Sequence, residues 1–339
     1  MDNIDILFKK HSFNSRLLLK ELSERGVTLS PIKQTGLVKA IYGKHSEVFF
    51  DIYTNLVSYT KGVIVDDKYY AKQFLKTHGF KVNLGQVFDK NHKKDAAIYA
   101  HKIGFPVVIK PTISSHGEGV EMDIETIKEL NHAILNFVTR FGQTAHFLVE
   151  EQFAAREFRL FITKNYFFAA VERIPANIIG DGKKTIKKLI RAENYRRMNP
   201  RNTCLCKIPI DNVLQTYIKK QGFMLSSIPK KGKKIFLRKN SNVSTGGNCY
   251  DVTDFVHSSY NKLAKEILKT LDVPFVGIDL LCDDIANQIK NYRICELNSA
   301  PGLSLHMMPE AGKARDVASA LADVIFPETY GKKSRNLHN

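Results

Sequence analysis

The chain has 339 residues, 43% hydrophobic and 25% charged, enough apolar material for two or three compact units and too much for a disordered chain. No run of about 18 apolar residues could span a bilayer. The opening stretch MDNIDILFKKHSFNSR lacks a basic segment followed by an apolar one, so a cytoplasmic protein without membrane attachment is expected. Five scattered cysteines, of which only Cys204 and Cys206 are close, point to reduced thiols rather than a disulfide framework or a zinc site.

The net charge of +17 is local, since residues 181–240 carry 17 lysines and arginines against Asp181, Glu193 and Asp211. Such a segment suits a solvated basic helix face or an electropositive rim that steers an anionic substrate. Nucleic acid is not the expected partner, because no recognition motif or aromatic stacking platform accompanies the charge.

In chain order, SRLLLKELSERGVTLSPIK predicts a helix with Leu17, Leu18 and Leu22 on one side and Gly26 as its stop. A strand pair is expected around AIYGKHSEVFF. DDKYYAKQFLKTHGFKVN predicts a helix with Phe74 and Leu75 inward, followed by LGQVF and a helix over KKDAAIYAHKIG. Next come FPVVIKP as a buried strand, the loop TISSHGEGV, a helix over ETIKELNHAILNFVTRFG and the strand AHFLVEEQF. DGKKTIKKLIRAENYRRMNPR has a helical repeat of Ile186, Leu189 and Ile190. Hairpin patterns precede this segment in EFRLFITKNYFFAAVERI and follow it in PFVGIDLLCDD with YRICELN, and a last helix is expected from Ala311 to Ile325. Mixed β–α–β units and antiparallel hairpins predict an α+β fold with more than one sheet.

Three motifs carry chemistry. Lys110 ends a buried strand before the loop Ser114–Gly119, where two glycines two apart let backbone N–H groups cradle phosphate oxygens. Carboxylates at Glu150, Glu151 and Glu157 border an apolar strand, where a short hinge can read a purine base and Glu157 can hold ribose hydroxyls. On YRICELN, Glu296 and Asn298 project from one face and Cys295 and Leu297 from the other. If this strand pairs with GIDLL, Asp279 joins Glu296 and Asn298 as oxygen ligands suited to Mg²⁺ with substrate phosphates. Turn formation by Asn298, Ser299, Pro301 and Gly302 and a solvated Glu296 is the other reading of that segment.

From about Asp66 to Pro327 the chain resembles the ATP-grasp superfamily of ADP-forming carboxylate–amine ligases. RIPANIIGDGKKTIKKLI, RKNSNVSTGGNCYDVTDFVH and ELNSAPGLSLHMMPEAGKARDV look like long blocks shared by cyanophycin synthetases and bifunctional glutathione synthetases. The resemblance implies the ATP-grasp fold: an N-terminal pre-ATP-grasp subdomain over 1–65, a first lobe with the glycine-rich loop over 66–148, a second lobe over 149–330 with hinge, basic insertion (181–240) and magnesium site, and a tail over 331–339. It implies ATP and Mg²⁺, with Mn²⁺ as the alternative ion. Lys68, Lys110, Ser115, His116, Gly117 and Gly119 would hold phosphates. Glu150, Glu151 and Phe153 would form the adenine hinge, Glu157 would take the ribose, and Asp279, Glu296 and Asn298 the metal. Arg173, Arg238 and Asn242 match groups around the phosphoryl centre, and Ser244, Thr245, Gly246, Gly247 and His306 match the substrate region.

The implied activity activates an amino-acid or peptide carboxylate, expected to be anionic, as an acylphosphate and joins it to an amine. Glutathione synthetase-like addition of glycine to a γ-glutamyl dipeptide is a second reading, and a non-catalytic ATP-binding or basic nucleic-acid-binding protein a third. A homodimer is the expected assembly. Two departures bear on this. Gly277 stands where many ATP-grasp ligases carry an arginine, and with about 65 residues before DDKYY and little after VIFPETYG, synthesis of a two-amino-acid polymer by this chain alone is not expected.

Overall fold

A computed structural model describes residues 8–114, 117–198 and 204–332. Helix α1 (Phe13–Glu24) starts where the Ser12 side chain accepts from the Ser15 amide, and ends before Gly26, whose φ of 83° suits a residue without Cβ. It buries Leu18, Leu19 and Leu22. After it come β1 (Thr28–Pro31), just past the predicted stop at Gly26, and the hairpin β2 (Leu37–Tyr42) and β3 (His45–Phe50), together a three-stranded antiparallel sheet. The last helix of the chain packs on this unit, so Leu18, Leu22 and Phe49 share one core with Leu321, Ile325 and Phe326. Arg25 fastens the two ends, donating to Asp323 at 2.5 Å and to the Ser319 carbonyl at 3.0 Å.

Helices α2 (Tyr59–Asp66) and α3 (Lys68–Thr77) lead into a four-stranded antiparallel sheet of β4 (Gly85–Phe88), β5 (Val107–Pro111), β6 (Glu121–Ile124) and β7 (Phe147–Glu151), in the order β4-β7-β5-β6. Val107, Ile109, Phe147 and Val149 point to α4 (Lys93–Ile103) and α5 (Ile127–Phe141) and form that lobe's core. By the period of two, Lys110 and Glu150 must point the other way.

The chain then crosses at residues 152–155 into a five-stranded antiparallel sheet, ordered β12-β9-β8-β13-β14. Its strands are β8 (Arg156–Thr163), β9 (Phe168–Ile174), β12 (Asn248–Asp251), β13 (Phe275–Cys282) and β14 (Tyr292–Asn298). Phe158, Leu160, Ile162, Ile278 and Leu280 face a core completed by α8 (Ser258–Leu271) and by Val65, Ala71 and Leu75 of α2 and α3. The boundary expected between residues 148 and 149 thus falls inside β7, and the helices that precede the first lobe in sequence belong to the core of the second.

Between β9 and β12 the segment 177–236 folds on itself. Strands β10 (Asn177–Ile179) and β11 (Lys234–Phe236) pair, and α6 (Ile186–Arg197) and α7 (Asn212–Lys220) cover them. Ile178, Ile186, Ile190, Ile208, Leu214, Ile218 and Ile235 make a small separate core. Not all of the basic charge is solvated: Arg197 is buried, donating to the Cys206 carbonyl at 3.1 Å and pairing with Glu193 at 2.8 Å. After the short helix α9 (Ser304–Met307), the last helix α10 (Val317–Ile325) begins six residues later than the expected Ala311. The reason is local. The Glu310 amide donates to the Cys249 carbonyl and the Asp251 amide to the Ala311 carbonyl, holding 310–311 against β12, and Gly312 has a φ of 91°.

Candidate functional site

The inner face of the five-stranded sheet is built by alternation. Antiparallel register sets Arg173 beside Glu157, Arg159 beside Asp279, Asp279 beside Glu296, and Gly277 beside Asn298. Asp279 is buried and accepts from Arg159 Nη2 at 2.9 Å and from Arg173 Nη1 at 3.0 Å. Burial alone would raise its pKa, but the two guanidinium groups outweigh that and hold it below the ordinary aspartate value. Arg173 Nη1 also lies 3.0 Å from Glu157 Oε1, its Nη2 donates to Asn242 Oδ1, and Ser241 Oγ donates to Glu157 Oε2. The hairpin expected from the sequence is present, and Glu296 and Asn298 share the face of Asp279. Asn298 keeps a buried side-chain nitrogen without a partner.

One irregularity was not legible in the sequence. The register shifts between Asp279 and Leu280, so Asp279 pairs with Glu296 and Leu280 with Ile294, and Cys295 is the extra residue of a β-bulge. The bulge brings Cys295 Sγ to 4.0 Å from Lys110 Nζ, where burial pushes the thiol up to about 11 against the opposing lysine charges.

Facing this row is a second charged group on the four-stranded sheet. Lys110 Nζ donates to Glu150 Oε1 at 2.9 Å, and Lys72 from α3 pairs with the other oxygen. All three side chains are buried. Burial, with the neighbouring Lys110 charge, outweighs Glu150 and holds Lys72 below the ordinary lysine range. Lys68 bridges the two groups: its Nζ donates to the Ser114 carbonyl at 2.8 Å and lies 3.6 Å from Glu296 Oε1. Lys68 and Lys72 are four residues apart on α3 and therefore on one face.

At the crossing, Glu151 Oε1 accepts from the Leu84 amide at 3.1 Å and from Arg293 Nε at 2.8 Å, and the Arg293 guanidinium lies 4.7 Å from the centre of the Phe153 ring. Glu150 is thus a buried ion-pair partner, while Glu151 and Phe153 border the crossing and Glu157 lies in the arginine row.

The glycine loop closes on the second lobe. Gly117 and Gly119 have φ of 74° and 71°, and a Cβ on Gly117 would lie 2.2 Å from Asn242 Nδ2. Ser115 and His116 lie outside the described residues. Thr245 Oγ1 donates to the Asn242 carbonyl at 2.9 Å in the turn Val243–Thr245, which includes the exposed Ser244. Gly247 packs so tightly that a Cβ would stand 2.2 Å from the Ser241 carbonyl oxygen, and Gly246 has a φ of 91° against Ile208.

Two residues stand apart from this cluster. Arg238 pairs with Asp211 at 2.6 Å in the insertion. His306 is fully buried, its ring centre 5.9 Å from that of Phe161 and neither ring nitrogen bonded. Burial first, then Arg159, lowers its pKa to about 3, so the ring is neutral.

The sequence reading missed Lys72 and Arg159. The i,i+4 spacing from Lys68 marks the first, and the alternation Glu157-x-Arg159 marks the second. Arg159 also answers the departure at Gly277: its Cδ lies 3.5 Å from where a Gly277 Cβ would be, so an arginine side chain from the neighbouring strand lies over the glycine. Among the described residues no three His, Cys, Asp or Glu side chains converge as a metal cluster. Among the described residues no helix is long and apolar enough to cross a membrane.

A family model for the carbamoyl-phosphate synthase L chain, ATP binding domain, matches residues 67–158. The chain is 30% identical over 318 residues to the cyanophycin synthetase of Crocosphaera subtropica, covering 93% of this chain and 36% of that protein. It is 31% identical over 280 residues to the glutathione biosynthesis bifunctional protein GshAB of Clostridium perfringens, covering 80% and 35% respectively. The crystal structure of a bifunctional glutathione synthetase from Pasteurella multocida superposes with a TM-score of 0.67 at 27% identity, over 95% of this chain and 45% of that one. The chain therefore spans between about a third and just under half of the length of these relatives. With two α+β lobes that oppose their charged faces beneath a glycine loop, and with these likenesses along nearly its whole length, the chain belongs to the ATP-grasp superfamily.

Proposed function

We propose that the protein is an ADP-forming carboxylate–amine ligase acting on an amino-acid or peptide carboxylate. The observation that carries this is the opposition of two charge groups: Lys110 and Glu150 of the four-stranded sheet with Lys72 of α3, and buried Arg159, Arg173 and Asp279 with the half-buried Glu296 of the five-stranded sheet, bridged by Lys68. Phosphoryl transfer needs positioning and charge neutralisation more than covalent chemistry from the protein, and a site of fixed cations and hydrogen-bond donors supplies both.

In this reading Lys68, Lys110 and the glycine loop hold the phosphates of ATP, residues 150–153 border the base, and Glu157 faces the ribose. The donor set fits a hard divalent cation, because Asp279, Glu296 and Asn298 bring carboxylate and amide oxygens to one sheet face. Mg²⁺ held there would neutralise phosphate oxygens, and Mn²⁺ suits the same ligands. Arg159 and Arg173 stabilise charge on the transferred group. The substrate carboxylate oxygen attacks the γ-phosphorus and ADP leaves. An amine then attacks the acyl carbon, phosphate leaves and the amine gives up a proton. Closure of Gly117 on Asn242 keeps water from the acylphosphate.

The test is ATP-dependent phosphate release with Mg²⁺ across amino acids, aspartyl and γ-glutamyl dipeptides, with hydroxylamine present to trap the acylphosphate. A hydroxamate that needs one particular carboxylate and disappears in Glu296→Gln is expected, and no hydroxamate with any carboxylate despite ATP binding would sink the reading. γ-Glutamylcysteine with glycine belongs in the panel, since the likeness to the glutathione enzymes matches that to the cyanophycin synthetases.

A further inference from the structure

The insertion ends in two facing turns. Residues 180–183 follow β10 and residues 229–233 precede β11, and they are stitched by Gly180 N to the Lys233 carbonyl at 2.8 Å, Gly232 N to the Gly180 carbonyl at 2.9 Å and Gly182 N to the Pro229 carbonyl at 3.2 Å. A Cβ on Gly180 would lie 2.3 Å from the Lys230 carbonyl oxygen, so only glycine permits this approach. Gly182 and Gly232 take φ of 75° and 80°. The turns place Lys183 and Lys184 beside Lys230, Lys231, Lys233 and Lys234, and all six side chains are exposed. Among the described residues the one carboxylate at this tip is Asp181, 3.6 Å from Lys184 Nζ, and it already accepts from the amides of Lys183 and Lys184. Six like charges held on a rigid backbone repel one another and add nothing to the small core beneath them. They do create a strong positive potential at one point.

That point has a fixed relation to the site. Arg173 lies near the end of β9, and the chain continues through residues 174–176 into β10 and on to Gly180, seven residues of mostly extended backbone or at most about 23 Å at roughly 3.3 Å per residue. The same basic segment is tied to both lobes. Lys239 Nζ is 3.2 Å from Asp123 of the first lobe, and Arg197 reaches Asn248 beside the arginine row.

The geometry points to the lysine tip as a docking surface for an acidic peptide, whose body is held by the two turns while its reacting end lies at Arg173 and Asn242. This deepens the ligase reading, on which the choice of a carboxylate-rich peptide rests. Nucleic acid fits less well: Phe236, whose ring centre lies 5.9 Å from Lys234 Nζ, is half-buried and makes a poor platform for stacking a base.

The test measures fluorescence anisotropy of a labelled oligo-glutamate of about ten residues, with oligo-deoxythymidine of equal length as the comparison, at about 50 and about 300 mM NaCl. The full chain is compared with a combined Lys183→Glu, Lys184→Glu, Lys231→Glu, Lys233→Glu variant, and with the matching glutamine variant as a milder change. Binding of oligo-glutamate that weakens with salt and falls about tenfold or more in the charge-reversed variant is expected. Phosphate release driven by a small carboxylate should stay unchanged in both variants. Absence of oligo-glutamate binding, equal binding by wild type and variants, or equally tight binding of oligo-deoxythymidine each overturns the proposal. If no carboxylate gives a hydroxamate while oligo-glutamate still binds at the tip, the ligase reading fails and the docking surface stands.

Discussion

Lysines are crowded together in two places in this molecule, and their surroundings differ completely. In the cleft Lys72 and Lys110 share Glu150, and all three are buried. At the tip of the insertion six lysines are exposed, and Asp181 pairs with Lys184 among them. Water and salt relieve most of the repulsion at the tip, whereas the interior trio depends on one carboxylate. The same residue type thus serves a rigid positioning role in one region and a long-range attractive role in the other, and burial makes the difference.

The strongest way to break that contrast is Glu150→Gln, which leaves two buried ammonium groups without a counter-charge. We expect a loss of about 3–5 kcal/mol in urea unfolding. A loss below about 1 kcal/mol would show that Lys72 and Lys110 are not held as the geometry indicates.

A second test uses pH. Burial would raise the Glu150 pKa, but Lys110 and Lys72 together hold it below 4.5, as Arg159 and Arg173 hold Asp279 below 3.8. Folded-state values below the unfolded ones mean stability that is fully present above about pH 4.5 and lost as pH falls through the folded values. Urea midpoints from pH 6 down to pH 3 should fall more steeply for the wild type than for Glu150→Gln.

Gly117→Ala separates closure from folding. The new Cβ would meet Asn242 at 2.2 Å with φ at 74°, so the rate of ATP-dependent phosphate release should drop about tenfold, the equivalent of roughly 1.4 kcal/mol in the barrier, while the urea midpoint moves little. The smallest effect belongs to the tip: the glutamine variant of its four lysines should leave the urea midpoint unchanged, or slightly raised at low salt by relief of repulsion.

Much of this architecture could be read from residue patterns, for reasons that also explain the gaps. Alternation from Glu296 to Asn298 let those two side chains be assigned to one face of β14, with Asp279 joining them once the strand pairs with β13. The bulge at Cys295 could not be assigned, because nothing in Tyr292–Asn298 marks which residue will be left unpaired. The partners of Asp279 arise from β8 and β9, more than 100 residues away, and only strand order brings them together. Arg197 and Arg238 look like any other cations of the basic segment, yet the small core of the insertion buries both. The span from Ala311 to Asp316 has helical composition, but backbone bonds to β12 hold its first residue as an added edge.

Lys68 touches both the backbone at the mouth of the glycine loop and the carboxylate of Glu296 on the opposite sheet. A group shared in this way makes two occupancies thermodynamically reciprocal. Whatever fixes Lys68 toward the loop changes what Glu296 can hold, and a cation at Glu296 changes by the same factor the affinity of anything bound under the loop. Nucleotide and metal would then bind as one heterotropic unit, and Lys68→Met should reduce the coupling between their dissociation constants more than it reduces either affinity alone.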